Sequence, residues 1–335
     1  MASTSSAISD GAKIELLAVR DLRVHFGHSA RPTTIVDGVD FELEPGKVLG
    51  IAGESGSGKT MTALAMLGLL PPGGYATGQV LLDGQNLLSL PARTLRRTQG
   101  HTISMVFQDP TAALHPMLTV GRQLTEHMRY HLGLNRKQAN QRAMVLLDQV
   151  RIPDPASALK AYPHQFSGGM RQRIQIAIAL ACNPRILIAD EPTTALDVTV
   201  QAGILALLDG LCRERQLAVV LITHDLGVLS AIADAVLVMY AGRVVESGTA
   251  RQVLTSSRHP YTRGLLDALP HPGAETQSLV PIRGAPPSPA SRPAGCPFHP
   301  RCAFARPACP ETVPDRVNVG HAHLSACIVD PFAPE

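Results

Sequence analysis

The sequence lacks the features that mark several classes of protein. Its 335 residues carry 30 basic and 27 acidic side chains, and the net charge of +3 is too small for a basic surface that binds nucleic acid. No apolar run approaches the roughly 18–20 residues that a membrane-spanning helix requires. Residues 1–13 are rich in Ser and Ala, without a basic stretch that leads into an apolar one. We therefore expect a disordered N-terminal tail, no signal peptide and a cytosolic protein.

Cysteine is scarce, and it is unevenly distributed along the chain. Six cysteines in a chain long enough to bury a full core argue against a fold held together by disulfides. A hydrophobic content of 45% with 17% charged residues indicates a globular chain rather than a disordered one. Four of the six cysteines and 13 of the 27 prolines lie after residue 270. Composition alone therefore predicts a boundary near residues 250–270.

The hydrophobic pattern predicts an α/β fold with a sheet covered by helices. Residues Val39–Leu43 alternate between apolar and acidic side chains, which is typical of a half-buried strand. Three apolar runs, Ile186–Ala189, Ala218–Thr223 and Ala235–Met239, are separated by helical stretches and favour buried parallel strands. Between about residues 110 and 180, apolar side chains recur at helical spacing, which predicts a helical insert.

A phosphate-binding loop is predicted between the strand that ends near Ala52 and the helix that follows it. The sequence there fits the pattern G-x-x-x-x-G-K-[ST], whose backbone N–H groups and helix N-terminus cradle phosphates. We expect Lys59 to reach the β- and γ-phosphates of a nucleoside triphosphate and the Thr60 hydroxyl to ligate Mg²⁺. The candidate binding residues in this phosphate loop are Gly53, Glu54, Ser55, Gly56, Ser57, Gly58, Lys59 and Thr60.

Two adjacent carboxylates end the next apolar strand. Asp190 is expected to hold Mg²⁺ through water, and Glu191 to polarise the water that attacks the γ-phosphate. An Asp-Glu turn after a strand is ordinary in isolation, so it is the phosphate loop that favours the catalytic interpretation.

A second candidate phosphate surface begins at Ser167. Ser167 is predicted to cap a helix whose free N–H groups and positive end can face an anion, and Gly168, Gly169 and Met170 follow it. A Gly-Gly loop before a helix is also common without any function. Because one γ-phosphate cannot contact both helix ends of a single monomer in this order, this surface is expected to act on ATP bound to another subunit.

In their order along the chain, these motifs resemble those of the ATP-binding subunits of ATP-binding-cassette (ABC) transporters, from about residue 14 to the end. The resemblance implies that Phe26 stacks on adenine, although an inward-facing strand residue explains Phe26 almost as well. It implies that Gln108 couples the metal site to the membrane partner and that His224 contacts the γ-phosphate. The segment Ala195–Asp197 also matches the family, which adds Asp197 to the nucleotide-binding candidates.

Three segments resemble more narrowly the peptide/nickel import branch of that family. The signature (Ser167–Met170) departs from the commonest family form at Met170 and at the preceding Phe166, while His259–Thr262 and Gly295–Cys302 match the branch. The resemblance implies a P-loop ABC ATPase domain with a mixed sheet over residues 14–250, including the helical insert. A small C-terminal extension rich in Cys and Pro would occupy residues 251–335.

The same resemblance implies an ATPase subunit that drives an importer for dipeptides or oligopeptides from the cytoplasmic face of the inner membrane. The implied partners are a second ABC ATPase subunit, most simply in a heterodimer, two transmembrane permeases and an extracytoplasmic solute-binding protein. Nickel, glutathione or another small solute remains an alternative cargo. A non-transport ABC ATPase that acts on nucleic acid or ribosomes is an alternative of another class, and the absence of a basic patch argues against it.

Four cysteines in the extension are candidate metal ligands, at a C-x₅-C-x₆-C-x₁₇-C spacing that differs from the C-x₂-C pairs of zinc ribbons. Four thiolates in so short a segment can ligate an iron–sulfur cluster, and the family tail implies [4Fe–4S]. A Zn²⁺ site is the alternative, with His299, His321 or His323 as a substitute ligand. Buried thiols without metal are a third interpretation, which the lack of large apolar residues disfavours. The four are Cys296, Cys302, Cys309 and Cys327.

Overall fold

The computed structural model describes residues 15–27, 32–194, 196–269 and 281–333. The expected tail over residues 1–13 and Ala195 lie outside these ranges. The described residues form a four-stranded and an eight-stranded β-sheet. The strands are β1 (Leu17–Phe26), β2 (Thr33–Leu43), β3 (Val48–Ala52), β4 (Gly74–Leu82), β5 (Gln85–Asn86), β6 (Ile103–Val106), β7 (Ile186–Asp190), β8 (Ala218–Thr223), β9 (Ala235–Tyr240), β10 (Arg243–Thr249), β11 (Val317–Gly320) and β12 (His323–Ser325).

The four-stranded sheet is antiparallel, in the order β2-β1-β4-β5. Its strand β2 begins at Thr33, before the alternating segment that predicted it, because the whole strand pairs along β1 from Leu17↔Leu43 to Phe26↔Thr33. The predicted strand is therefore confirmed, with an earlier start.

The eight-stranded sheet is mixed, in the order β11-β12-β10-β9-β3-β8-β7-β6. Strands β9, β3, β8, β7 and β6 are parallel, and every residue of β7 and β8 is buried. This burial on both faces explains why those strands read as continuous apolar runs rather than as alternating ones. The predicted α/β fold with a mixed sheet is confirmed.

Helices lie on both faces of this sheet and form two hydrophobic cores. One core joins the antiparallel sheet to the helix after the phosphate loop, and the other joins most of the remaining helices to the opposite face. The helices are α1 (Lys59–Leu67), α2 (Ala92–Thr98), α3 (Pro110–Ala113), α4 (Val120–Leu132), α5 (Arg136–Gln149), α6 (Pro155–Ala158), α7 (Gly168–Ala179), α8 (Val198–Arg215), α9 (Leu226–Ile232), α10 (Ala250–Thr255) and α11 (Pro260–Asp267).

Between β6 and β7 the chain forms only helices, from α3 to α7. The two longest helices of this insert, α4 and α5, are capped at their N-termini by side chains. The Thr119 side chain accepts from the Arg122 backbone N–H, and the Asn135 side chain accepts from that of Gln138. Because β3, β7 and β8 are parallel, the loops that follow them leave the sheet at one edge. That edge holds the phosphate loop, Asp190–Glu191 and His224, as the rule for ligand sites in open α/β sheets requires.

The described part of the C-terminal extension packs on the same domain. Strand β12 pairs antiparallel with β10, so that β11 and β12 lengthen the large sheet. The Phe298 ring lies 5.2 Å from the ring of Tyr240 in β9 and 5.3 Å from that of Tyr261 in α11. The extension therefore shares a hydrophobic core with the sheet.

Candidate functional site

The phosphate loop has the shape that its glycines allow. At Gly53, φ is 147°, and a Cβ atom there would collide with the carbonyl oxygen of Met239. At Gly56, φ is 79°, and a Cβ atom would meet nothing within 4 Å, so the loop is open to solvent at this point. The close approach at Gly53 fixes the loop against β9, and the open side leaves room for a phosphate.

Lys59 is the first residue of α1, and its ammonium group lies inside the loop. Its Nζ atom donates to the carbonyl oxygens of Gly53 at 2.7 Å and Glu54 at 2.9 Å, and the residue is 5% exposed. Burial lowers the pKa of Lys59, while the nearby carboxylates of Glu191, Asp190 and Glu54 act in the opposite direction. A phosphate anion in the open side of the loop would compensate this buried positive charge.

Two buried polar atoms beside Lys59 have no hydrogen-bond partner, and they fit a bound nucleotide with Mg²⁺. They are Ser57 Oγ and Asp190 Oδ1. Burial raises the pKa of Asp190, while a hydrogen bond with Thr60 and the charge of Lys59 lower it. Mg²⁺ prefers oxygen ligands of this kind, so Thr60 and Asp190 are the residues that would hold the ion.

Glu191 lies at the centre of a polar cluster that comes from three different loops. Gln108 Nε2 and Thr194 Oγ1 each donate to its Oε2 atom at 2.9 Å, and His224 Nδ1 lies 3.2 Å from its Oε1 atom. The Glu191 side chain is only 14% exposed, whereas that of His224 is 59% exposed. The cluster thus brings three predicted residues together and adds Thr194, which sequence reasoning missed because a Thr three residues after a carboxylate carries no distinctive signal.

The signature and Asp197 lie at two helix N-termini that contact each other. Ser167 Oγ accepts from the Met170 backbone at 3.3 Å and caps α7, while Asp197 accepts from the Val200 backbone at 2.9 Å and caps α8. A Cβ atom at Gly169 would lie 2.7 Å from Val200 Cγ1, so the two caps are closely packed. None of the hydrogen bonds among the described residues joins the signature to the phosphate loop.

Phe26 is the last residue of β1, a strand of the antiparallel sheet. Its backbone pairs with that of Gly74, and its ring is partly buried. The ring lies so close to Gly74 that a Cβ atom there would be 2.7 Å from Phe26 Cζ. The part of the ring that stays exposed is available for stacking, but the chain that follows, residues 28–31, is outside the described ranges.

The four candidate metal-binding cysteines line one small cavity, together with His299. Burial raises the pKa of the thiols of Cys296, Cys302 and Cys327, which favours their protonated form in the metal-free protein. Within the described ranges, no group of three or more His, Cys, Asp or Glu side chains has an arrangement that could hold a metal ion. The predicted iron–sulfur cluster therefore has no support from this geometry.

The histidines named as alternative zinc ligands have other contacts. His323 Nε2 lies 2.7 Å from the fully buried Glu246 carboxylate, and His299 Nδ1 lies 2.9 Å from the carbonyl oxygen of Cys296. The carbonyl oxygen of His321 accepts from Gln252 Nε2 at 3.1 Å. Of the three, His299 is the one that lines the cysteine cavity.

Two side chains beyond residue 250 contact the phosphate loop, and sequence reasoning missed both. The Arg301 guanidinium forms a bidentate ion pair with the Glu54 carboxylate, at 2.6 and 3.0 Å. The Tyr261 hydroxyl accepts a hydrogen bond from the Glu54 backbone N–H at 2.8 Å. More than 200 residues separate these groups from the loop, so no local pattern could have indicated the contacts.

None of the helices in the described ranges combines the length and the apolar character that a bilayer span requires.

Comparison with known families gives matches in both parts of the chain. The family model described as "ABC transporter" matches residues 36–194, and the one described as "Oligopeptide/dipeptide transporter, C-terminal region" matches residues 245–309. The first match includes the phosphate loop, the signature and Glu191. The second includes three of the four candidate metal-binding cysteines.

Curated relatives are similar over most of the chain. It is 48% identical over 312 residues to the oligopeptide transport ATP-binding protein OppD of Salmonella typhimurium, which covers 93% of each chain. It is 46% identical over 312 residues to OppD of Haemophilus influenzae, covering 93% of this chain and 96% of the relative. The oligopeptide transport ATP-binding protein AppD of Bacillus subtilis is 45% identical over 296 residues, covering 88% of this chain and 90% of the relative.

Solved structures give the same result for the fold. A dimeric bacterial ABC transporter cassette matches with a TM-score of 0.63 and 26% identity, over 70% of this chain and 99% of that one. A post-hydrolysis state of that cassette, bound to ADP and phosphate, matches with a TM-score of 0.62 and 27% identity over the same shares.

Proposed function

Because the chain belongs to the ATP-binding proteins of ABC transporters, we propose that it is the ATP-hydrolysing subunit of an importer for oligopeptides or dipeptides. The observation that carries the proposal is the joint occurrence of the nucleotide site and a C-terminal extension matching the oligopeptide/dipeptide transporter region. Relatives between 45% and 48% identical that carry the name "oligopeptide transport ATP-binding protein" support this cargo class.

Each part of the proposed reaction has a residue that suits it. Lys59 and the phosphate-loop N–H groups bind the phosphates of ATP. Thr60 and Asp190 would hold Mg²⁺, which would supply positive charge to the transferred phosphoryl group. Glu191 accepts a proton from the attacking water. The hydrogen bonds from Gln108 and Thr194 orient the Glu191 carboxylate for this step. His224 lies beside Glu191, so that it can contact the γ-phosphate.

The proposed ATP site is composite. Two cassettes bind ATP head to tail, so that the phosphate loop of one subunit faces the signature of the other. The absence of a hydrogen bond between Ser167 and the phosphate loop in the described chain supports this arrangement. Closure around ATP turns the permeases outward, and hydrolysis resets them.

The catalytic assignment is tested by Glu191→Gln, with Glu214→Gln on the exposed face of α8 as the matched control. We expect the first variant to bind ATP with unchanged affinity and to lose hydrolysis on the order of hundredfold or more, since a positioned general base contributes at least that much. Phosphate release and ATP titration measure the two quantities. Wild-type turnover in Glu191→Gln would remove the carboxylate from the proposed role.

The proposed partners are a second ABC ATPase subunit, two transmembrane permeases and an extracytoplasmic binding protein, with this chain peripheral at the cytoplasmic face of the inner membrane. Co-purification of the native chain with membrane-embedded permeases tests this assembly. Reconstituted transporter supplied with dipeptides, longer peptides, glutathione or Ni²⁺ tests the cargo. Uptake of Ni²⁺ or glutathione without peptide would contradict the cargo assignment but not the ATPase assignment.

A metal in the extension is the finer part of the proposal: a [4Fe–4S] cluster on the four cysteines, with Zn²⁺ as the alternative. All four thiols line one cavity, but the described residues show no metal-holding arrangement, so the proposal rests on the resemblance of the extension and not on that geometry. Protein purified without oxygen is expected to be brown and to contain iron and sulfide. Stoichiometric zinc without iron favours the alternative, and metal-free protein with four titratable thiols contradicts both.

A further inference from the structure

The ion pair between Arg301 and Glu54 connects the C-terminal extension to the phosphate loop through a nearly buried side chain. The Arg301 side chain is 6% exposed. Its guanidinium also donates to the backbone oxygens of Arg283 at 2.9 Å and Gly284 at 3.2 Å, and it lies over the Tyr240 ring at 5.8 Å. The extension therefore fixes the guanidinium on one side, and Glu54 occupies the other side.

A second contact holds the same loop residue through its backbone. The Tyr261 hydroxyl, which accepts from the Glu54 N–H, belongs to a fully buried ring packed 4.6 Å from Tyr240 and 5.3 Å from Phe298. Glu54 is thus fixed at its side chain by Arg301 and at its amide by Tyr261.

These contacts act next to the group that binds phosphate. The carbonyl oxygens of Gly53 and Glu54 are the two acceptors for Lys59 Nζ. Any shift of Glu54 moves the peptide groups on both of its sides, and with them the ammonium of Lys59. A phosphate loop that is already ordered loses less conformational entropy when ATP binds.

We propose that Arg301 and Tyr261 are positioning residues, through which the C-terminal extension holds the phosphate loop in its nucleotide-binding conformation. This inference rests on the proposed function, since it concerns the affinity of the same ATP site. It makes the extension a determinant of ATP binding and not only an attachment to the sheet.

The test uses Arg301→Gln in the full-length chain, with Arg316→Gln as the matched control. Arg316 also lies in the extension and pairs with a carboxylate of the ATPase domain, Asp40, at 2.8 Å, but it does not contact the loop. We expect Arg301→Gln to raise the Kd and KM for ATP on the order of tenfold, because hydrogen bonds to charged groups are among the stronger ones. The kcat of Arg301→Gln is expected to stay within about twofold of the wild-type value, because Arg301 does not contact the reacting atoms. Arg316→Gln leaves KM unchanged.

Further variants separate positioning from general stability. Arg301→Lys keeps the charge without the bidentate geometry and is expected to recover part of the affinity. In a Glu54→Gln background, the effect of Arg301→Gln is expected to shrink to less than half, because the pair is already broken. Tyr261→Phe keeps the buried ring and removes only the acceptor, so it remains informative if Arg301→Gln does not fold.

Three outcomes overturn the inference while leaving the proposed function intact. They are wild-type KM in both Arg301→Gln and Tyr261→Phe, an equal rise of KM in Arg316→Gln, and a loss confined to kcat. A wild-type chain that neither binds nor hydrolyses ATP contradicts the proposed function itself, so the two failures are distinguishable.

Discussion

Asp37 joins distant parts of the chain through charge. Its carboxylate accepts from Arg243 in β10 at 2.6 Å and from Arg292 in the extension at 3.1 Å, and it also pairs with Arg23 in β1. The Asp37 side chain is 10% exposed. Burial alone would raise the pKa of Asp37, but the hydrogen bond and charge of Arg243, together with the other two arginines, hold it below its usual range.

We expect Asp37→Asn to lower the free energy of unfolding by about 2–3 kcal/mol at pH 7, because three arginines lose their charged hydrogen-bond acceptor. As pH falls below about 4, the unfolded chain takes up the proton before folded Asp37 does. The stability that Asp37 contributes is therefore fully present above that pH, and it is lost as the pH falls through the lowered pKa of Asp37. Urea titrations between pH 7 and 3 should show less acid loss in Asp37→Asn than in the wild type.

The matched control for this prediction is Asp267→Asn. Asp267 forms an exposed i,i+4 pair with Arg263, with side chains 41% and 52% exposed. Such pairs contribute little, so we expect a change within about 0.5 kcal/mol at pH 7. An equal acid dependence in wild type and Asp37→Asn would contradict the assignment.

Residues contiguous in sequence were predictable, and those brought together by the fold were not. The phosphate loop is one segment, so spacing alone identified it. Gln108, Glu191 and His224 belong to three separate loops, and only the resemblance to a family linked them before the structure did. No pattern in the sequence indicated that Arg301 would reach Glu54.

At the scale of elements, local chemistry explains where predicted and observed boundaries differ. The apolar run after the phosphate loop continues to Leu70, and the Pro71 that follows it predicts a helix end at that point. The helix itself ends at Leu67, because Gly68 adopts a left-handed conformation and the Leu69 N–H donates back to the Leu64 carbonyl oxygen. The helix therefore ends at the glycine C-cap before the chain reaches the proline.

The amino-acid composition could not predict where the C-terminal extension packs. Its Pro and Cys content predicted a boundary near residues 250–270, and the division into residues 14–250 and 251–335 remains a prediction. Strands β11 and β12 are short, and three of the four residues of β11 are exposed, so they carry little hydrophobic pattern. The pairing of β12 with β10 depends on contacts between segments far apart in sequence.

If the extension and the sheet share one core, they unfold together. Phe298, 4% exposed between Tyr240 and Tyr261, lies at this junction. We expect Phe298→Ala to cost about 3–5 kcal/mol, the usual value for removing a buried ring. Calorimetry should show a single transition in the wild type that moves to lower temperature in the variant.

The control is Phe304→Ala in the same extension. Phe304 is 43% exposed and packs at 5.2 Å against Phe332, so its loss is expected to cost less than about 1 kcal/mol. Two separate transitions in the wild type, with only one of them moved by Phe298→Ala, would show instead that the extension is an independent module.

At the scale of the whole molecule, the proposed nucleotide site is shared between two cassettes. The phosphate loop, Asp190 and Glu191 gather at one edge of the sheet, while Ser167 caps a helix of the insert and has no hydrogen bond to the loop within the described ranges. The free N–H groups at that helix N-terminus suit an anion supplied by another cassette.

This arrangement gives an asymmetric prediction for the assembled transporter. In a Glu191→Gln background, which is expected to retain ATP, Ser167→Arg in this chain is expected to block the surface that we propose contacts ATP on the partner ATPase. Photolabelling with azido-ATP, followed by separation of the subunits, should show weaker labelling of the partner and unchanged labelling of this chain. Asn135→Arg removes a cap from another helix of the insert and is expected to leave both labels unchanged. Weaker labelling of this chain alone would mean that Ser167 acts on its own nucleotide.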